Sequence, residues 1–203
     1  IVFDLDGTIT ASDLGITNSI KYALNYFGLE KDNESLKRHI GPALSVTFRE
    51  YVGDDEEKIQ LAIKKYREYY VDQGGMLENE VYEGVEETLK EIKNRGKKII
   101  LASSKPMVFC EKILQHFKLD KYFIDFFCSE YYDFKPKYEI FEFIKEKYKG
   151  DFIVVGDRYV DMELAEKHNL KFIGCNYGFG KTDELLNANY IINNFNEILD
   201  IGI

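Results

Sequence analysis

Apolar positions along this chain fall into two rhythms. Up to about residue 73 they recur at helical spacing. Ile20, Ala23, Leu24 and Phe27 share one face, and Gly28 reads as the stop. A short helix is expected over 35–40, ending at Gly41-Pro42, and Leu44, Phe48 and Tyr51 predict a third. Ile59, Ala62, Ile63, Tyr66 and Tyr70 trace one face of a longer fourth helix. This block opens at Ser12-Asp13, closes at Gly74-Gly75 and carries its own apolar faces.

From Val81 onward short, largely apolar runs take over, unbroken at 99–102 and 152–155. Ile99-Ile100-Leu101-Ala102, Phe126-Phe127-Cys128, Phe152-Ile153-Val154-Val155, Lys171-Phe172-Ile173-Gly174 and Tyr190-Ile191-Ile192 join the opening Ile1-Val2-Phe3. Amphipathic helices are expected between them: over 84–95, through Phe109, Ile113, Leu114 and Phe117, through Ile140, Phe141, Ile144 and Tyr148, and over 162–168. Runs without polar alternation read as strands buried on both faces of a parallel sheet. Strands alternating with helices make the fold class α/β, a doubly wound parallel sheet. Its core is expected from residues 1–11 and 81–203, with 12–80 inserted as an all-helical domain.

Composition narrows the partners. The 203 residues carry a formal charge of −9, which argues against a nucleic acid polymer or an anionic lipid surface. A small anionic substrate remains compatible, because a local metal and lysine outweigh the overall field. No apolar run has the length of a membrane span, and none reads as a signal peptide. Cys110, Cys128 and Cys175 form no CxxC pair, so reduced thiols in the cytoplasm are expected. The chain opens inside a strand-like run, so a few residues are expected to precede Ile1.

The chemistry gathers at the strand ends, where ligands of such sheets bind. The first run ends in Asp4-Leu5-Asp6-Gly7-Thr8, and alternation along a strand would project Asp4 and Asp6 to the same side. Two carboxylates that close repel unless a cation lies between them, and oxygen ligands of this kind suit Mg2+. A later run ends in Ser103-Ser104-Lys105-Pro106, and another in Gly156-Asp157-Arg158, with Asp161 following. Lys135-Pro136-Lys137 stands before the helix through Ile140. Taken singly, each group has an ordinary reading as a cap or a surface charge. Their shared placement at strand ends is what points to one crevice.

That order resembles the haloacid dehalogenase superfamily of phosphatases. The matching stretches are DLDGT at 4–8, Ser103 after a buried strand, a lysine at 135 or 137, and GDRYVD at 156–161. The branch with a helical cap, which includes phosphoglycolate phosphatases, is closer. Closer still is a subgroup described as 5′-nucleotidase-like, matched by GITNSIKYAL, HIGPAL, VYEGV, ASSKP and YGFG. The chain departs from many relatives at Ala11 and at Glu163-Leu164-Ala165.

The resemblance implies a phosphatase that uses Mg2+ and acts on a small phosphorylated metabolite, as monomer or homodimer. Asp4 would be the nucleophile and Asp6 the general acid and base. Mg2+ would be held by Asp4, the backbone carbonyl of Asp6, and Asp157, with Asp161 orienting waters or the lysine. Ser103 would hydrogen-bond the phosphoryl group, and Lys137, or else Lys135, would offset its charge. Gly7, Thr8, Ser104 and Arg158 are candidate substrate contacts. The loop 39–42 is the candidate for facing the site on cap closure, with hinges near 8–12 and 79–83. Asp6 speaks against a dehalogenase, and a phosphomutase, a pyrophosphatase or an inactive binding protein are the alternatives.

Overall fold

A computed structural model of the chain describes residues 1–129 and 135–202. The chain divides into two compact units, Ile1–Ala11 with Val81–Ile203, and Ser12–Glu80.

The first unit is built on a six-stranded parallel sheet: Val2–Phe3 (β1), Ile100–Ser103 (β4), Asp125–Cys128 (β5), Ile153–Gly156 (β6), Lys171–Cys175 (β7) and Tyr190–Ile192 (β8). Thr10–Ala11 (β2) and Glu80–Val81 (β3) form a separate two-stranded sheet. The strand order is β5-β4-β1-β6-β7-β8. The chain therefore winds outward from β1 through β4 and β5 on one side, and through β6 to β8 on the other. Strand order reverses at β1, which puts the binding crevice of such a sheet beyond the carboxyl ends of β1, β4 and β6. The register pairs Phe3 with Leu101 and with Val155, so Asp4 leaves the sheet level with the ends of both neighbours.

Helices cover both faces, as strands without polar alternation require. On one face Val2, Ile100, Phe127, Val154 and Phe172 pack with Ile140, Phe141 and Ile144 of α7 (Lys137–Lys147) and Leu164 and Ala165 of α8 (Tyr159–Lys167). Phe3, on the opposite side of its strand from Val2, stacks on Phe195 at 5.6 Å. The helices α5 (Val85–Asn94) and α6 (Met107–His116) complete the unit, and Val85, Leu89, Ile92, Ile113 and Leu114 are buried from them.

The second unit is helical: α1 (Asp13–Tyr26), α2 (Asn33–Leu36), α3 (Leu44–Val52) and α4 (Glu56–Arg67). The Asp32 and Asp55 carboxylates cap α2 and α4 by accepting from the Ser35 and Lys58 amides. Acidic residues open α4 and basic ones close it, in accord with its dipole. A π-helical turn, Glu68–Asp72, follows α4, and Tyr70 stays buried there, stacked on Tyr66 at 5.3 Å. The helix expected over 35–40 is shorter, because the chain tightens into a 3-10 turn at Lys37–His39. His39 is buried, 2.8 Å from the Tyr51 hydroxyl.

Candidate active site

Asp4 follows β1 directly, and its amide donates to the Val155 carbonyl at 3.0 Å, carrying the ladder one residue past the strand. The chain then bends at Leu5, and Gly7 adopts φ +84°, a conformation that favours glycine. Strand alternation is therefore not what orients the two acids. Asp6 sits beyond the bend, in an isolated bridge with Thr10, and the two carboxylates meet different lysines.

Asp4 Oδ1 lies 2.6 Å from Lys137 Nζ, and the same ammonium lies 2.7 Å from Asp161 Oδ1. All three side chains are buried. Lys137 is the first residue of α7, directly after Pro136, so the helix start aims it at the strand ends. Burial pulls its pKa down, but Asp161 and Asp4 outweigh that and hold the lysine charged. Burial pushes the Asp4 carboxyl up to about 7, against the opposing pull of Lys137. Asp161 spends its other oxygen, Oδ2, accepting from the Arg158 amide at 3.2 Å.

Asp157, just past β6, is fully buried. Its Oδ2 accepts from the amides of Phe179 at 2.6 Å and Gly180 at 3.3 Å. Its Oδ1 is buried with no hydrogen-bond partner. Burial, then the neighbouring Asp4 charge, push the Asp157 carboxyl well up, against the Phe179 amide.

Asp6 Oδ2 lies 3.2 Å from Lys105 Nζ, and its Oδ1 is buried without a partner. Ser103 ends β4, buried, and its hydroxyl accepts from the Lys105 amide at 3.2 Å. Thr8 is buried at the same turn with its hydroxyl unpartnered, and its carbonyl accepts from the Tyr177 hydroxyl at 2.9 Å.

The remaining predicted residues are placed elsewhere. Lys135 is exposed and pairs with Glu139 at 2.9 Å. Arg158 lies beside Asp157 in sequence, but its Nε is 3.0 Å from Glu184 Oε2. The Ser104 side chain is exposed, while its carbonyl accepts from the Ser129 hydroxyl at 2.6 Å. Two contributors escape the motif reading: Lys105, and the amides of Phe179 and Gly180. Their signals were present, a lysine two residues past the strand-end serine and glycines at 178 and 180.

One carboxylate oxygen from each of Asp4, Asp157 and Asp161 lies within 4.8 Å of the others. With Asp6 they make four acids facing two lysines, which with all four ionised is an excess of two negative charges. Hard oxygen donors, a buried orphan oxygen on Asp157 and this charge excess fit a divalent cation such as Mg2+.

Comparison with known proteins finds relatives over most of the chain. The family model described as haloacid dehalogenase-like hydrolase matches residues 1–175. A Pseudomonas aeruginosa protein named 5′-nucleotidase is 36% identical over 192 residues, spanning 91% of this chain and 86% of its own. A Clostridium difficile protein assigned as a phosphatase superposes with a TM-score of 0.88 at 40% identity, over 100% of this chain and 97% of that one. One from Clostridium acetobutylicum does so with a TM-score of 0.88 at 42% identity, over 98% and 95%. Acids at the ends of β1 and β6, a lysine at the start of α7 and a likeness spanning most of the sequence converge on one conclusion: this chain belongs to the haloacid dehalogenase-like hydrolases and is a phosphatase of that family, acting on phosphate esters.

Proposed function

We propose that the chain hydrolyses a small phosphate monoester in two steps through an aspartyl-phosphate on Asp4. The observation that carries the reading is the separation of the two acids: Asp4 is pinned by Lys137, while Asp6 stands apart with Lys105. In the first step an Asp4 oxygen attacks phosphorus, the ester P–O bond breaks, and Asp6 gives its proton to the leaving alkoxide. In the second, Asp6 takes a proton from water, the water oxygen attacks phosphorus, and the bond to Asp4 breaks, restoring both acids. The Ser103 hydroxyl donates to a phosphoryl oxygen, and Lys137 offsets its charge.

Asp4, Asp157 and the backbone carbonyl of Asp6 would hold Mg2+, with Asp161 steadying Lys137 beside them. Bound there, the ion screens the repulsion between carboxylate and phosphoryl oxygens. The substrate favoured is a nucleoside monophosphate, on the strength of the likeness to the Pseudomonas protein named 5′-nucleotidase. The helical unit Ser12–Glu80 acts as the cap that selects it. No helix among the described residues is long and apolar enough to cross a membrane. The three free, buried cysteines suit the reducing cytoplasm, where the enzyme works as monomer or homodimer.

The test is phosphate release, with Mg2+, from nucleoside monophosphates, phosphoglycolate, sugar phosphates and pyrophosphate. Nucleoside monophosphates should turn over fastest, and Asp4→Asn should abolish release. Release that persists in Asp4→Asn would remove the nucleophile, and a preference for another ester would replace the substrate.

A further inference from the structure

The Tyr177-Gly178-Phe179-Gly180 turn supplies no side chain to the chemistry described so far, yet it wraps the acid at the centre of the site. Both Phe179 and Gly180 donate backbone N–H groups to the same oxygen, Asp157 Oδ2. The approach is too close for side chains. A Cβ on Gly178 would run into the Asp157 side chain and the Gly7 carbonyl. A Cβ on Gly180 would strike the Asp157 carbonyl, and one on Gly7 the Asp157 carboxylate. The turn is also fastened at its start, where the Tyr177 hydroxyl donates to the Thr8 carbonyl and its ring meets Tyr82 edge-on at 4.6 Å. The Asp157 carboxylate thus lies against two backbone segments, of which the 177–180 turn holds one oxygen, while the other oxygen is unpartnered and buried.

We propose that the 177–180 turn is a positioning clamp for the divalent cation: its two amides fix Asp157 Oδ2 so that Oδ1 stays aimed at the metal. The inference rests on the metal set proposed above. An acid held by two N–H donors cannot rotate its second oxygen out of the site, so the cation meets a preformed ligand. Groups that orient a metal ligand in this way are typically worth ~10–100-fold in metal affinity. The requirement falls on backbone amides and on absent Cβ atoms. Phe179 contributes through its N–H, and its ring is free to vary.

Mn2+ serves as the probe, titrated into the purified protein and followed by electron paramagnetic resonance of the free ion, with thermal melting to confirm folding. Phe179→Pro removes one N–H, Gly180→Ala forces the turn off Asp157, and Phe179→Ala keeps both donors. The expected result is Mn2+ affinity weakened by ~10-fold or more in the first two and unchanged in the third. A folded Phe179→Pro or Gly180→Ala that binds Mn2+ like the parent overturns the clamp. So does a Phe179→Ala variant weakened as much as Phe179→Pro. Should neither disruptive variant fold, amide exchange in the parent decides: exchange at 179 and 180 slowed by Mg2+ supports the clamp, and indifference to Mg2+ overturns it. Failure of the parent itself to bind Mn2+ would strike the metal assignment instead, so the two failures are distinguishable.

Discussion

Lys137 Nζ lies 2.6 Å from Asp4 Oδ1, a buried ammonium against a buried carboxylate. In the proposed mechanism the lysine would serve twice, holding the attacking group before substrate arrives and balancing phosphoryl charge afterwards. Lys137→Met should lower kcat by ~10²–10³-fold, the usual scale for removing a preorganised charge-stabilising group. Lys135→Ala removes an exposed pair with Glu139, which is worth less than ~1 kcal/mol, and should leave turnover near that of the parent. Steady-state kinetics of the two variants check this, and the reverse ranking would move the function to Lys135.

Asp6 and Lys105 form a second pair, 3.2 Å apart, outside the cluster of Asp4, Asp157 and Asp161. Asp6→Asn should lose ~10²–10⁴-fold in kcat, since it removes the proposed proton carrier. Its Mn2+ affinity should persist, because the expected metal contact is through the backbone. Lys105→Met removes a charge-assisted contact worth ~1.5–3 kcal/mol, and should slow turnover by roughly ten- to a hundredfold. A Lys105→Met variant with the parent's rate would reduce this lysine to a structural role.

Burial raises both Asp4, to about 7, and Asp157, so the metal-free site holds protons that the unfolded chain, with ordinary carboxylates near about 4, has already lost. The sign follows. Metal-free stability from this site is greatest at low pH and falls as pH rises through about 7. Cation binding requires the ionised acids, so Mg2+ affinity moves the opposite way. Melting temperatures with EDTA and with Mg2+, compared at about pH 6 and about pH 8, should show a larger Mg2+ stabilisation at the higher pH. A Mg2+ shift independent of pH would contradict the raised carboxyls.

The order of elements and the strand-end acids were legible because both depend on local pattern. Unbroken apolar runs announce buried strands, and the sheet rule then gathers Asp4, Ser103 and Asp157 from distant positions. What stayed illegible depends on contacts that spacing does not encode. Lys135 and Lys137 flank one proline, and only the start of α7 at Lys137 decides which reaches Asp4. The two acids of DLDGT suggest strand alternation, whereas a bend at Leu5 and the left-handed Gly7 send them to different lysines. Arg158 adjoins Asp157 and suggested an anion contact, but Glu184, twenty-six residues on, engages its Nε. Backbone donors such as the Phe179 amide carry no side-chain signature, and only the flanking glycines hinted at them.

Cys110, Cys128 and Cys175 are free and buried in the same unit, on α6, β5 and β7. Burial pushes the Cys110 and Cys175 thiols well up, and only the thiolate reacts quickly. Labelling of these cysteines therefore requires the unit to open. A ligand that binds only the folded form lowers the open population in proportion to its saturation. Mg2+ should then slow iodoacetamide labelling of the three thiols in the parent but not in Asp157→Asn, which lacks a proposed metal ligand. Mass spectrometry of the labelled peptides reads each cysteine separately. Fast labelling of one thiol in the native protein would place it in a locally opening segment. Equal protection by Mg2+ in Asp157→Asn would mean that the ion stabilises the fold from somewhere other than this acid cluster.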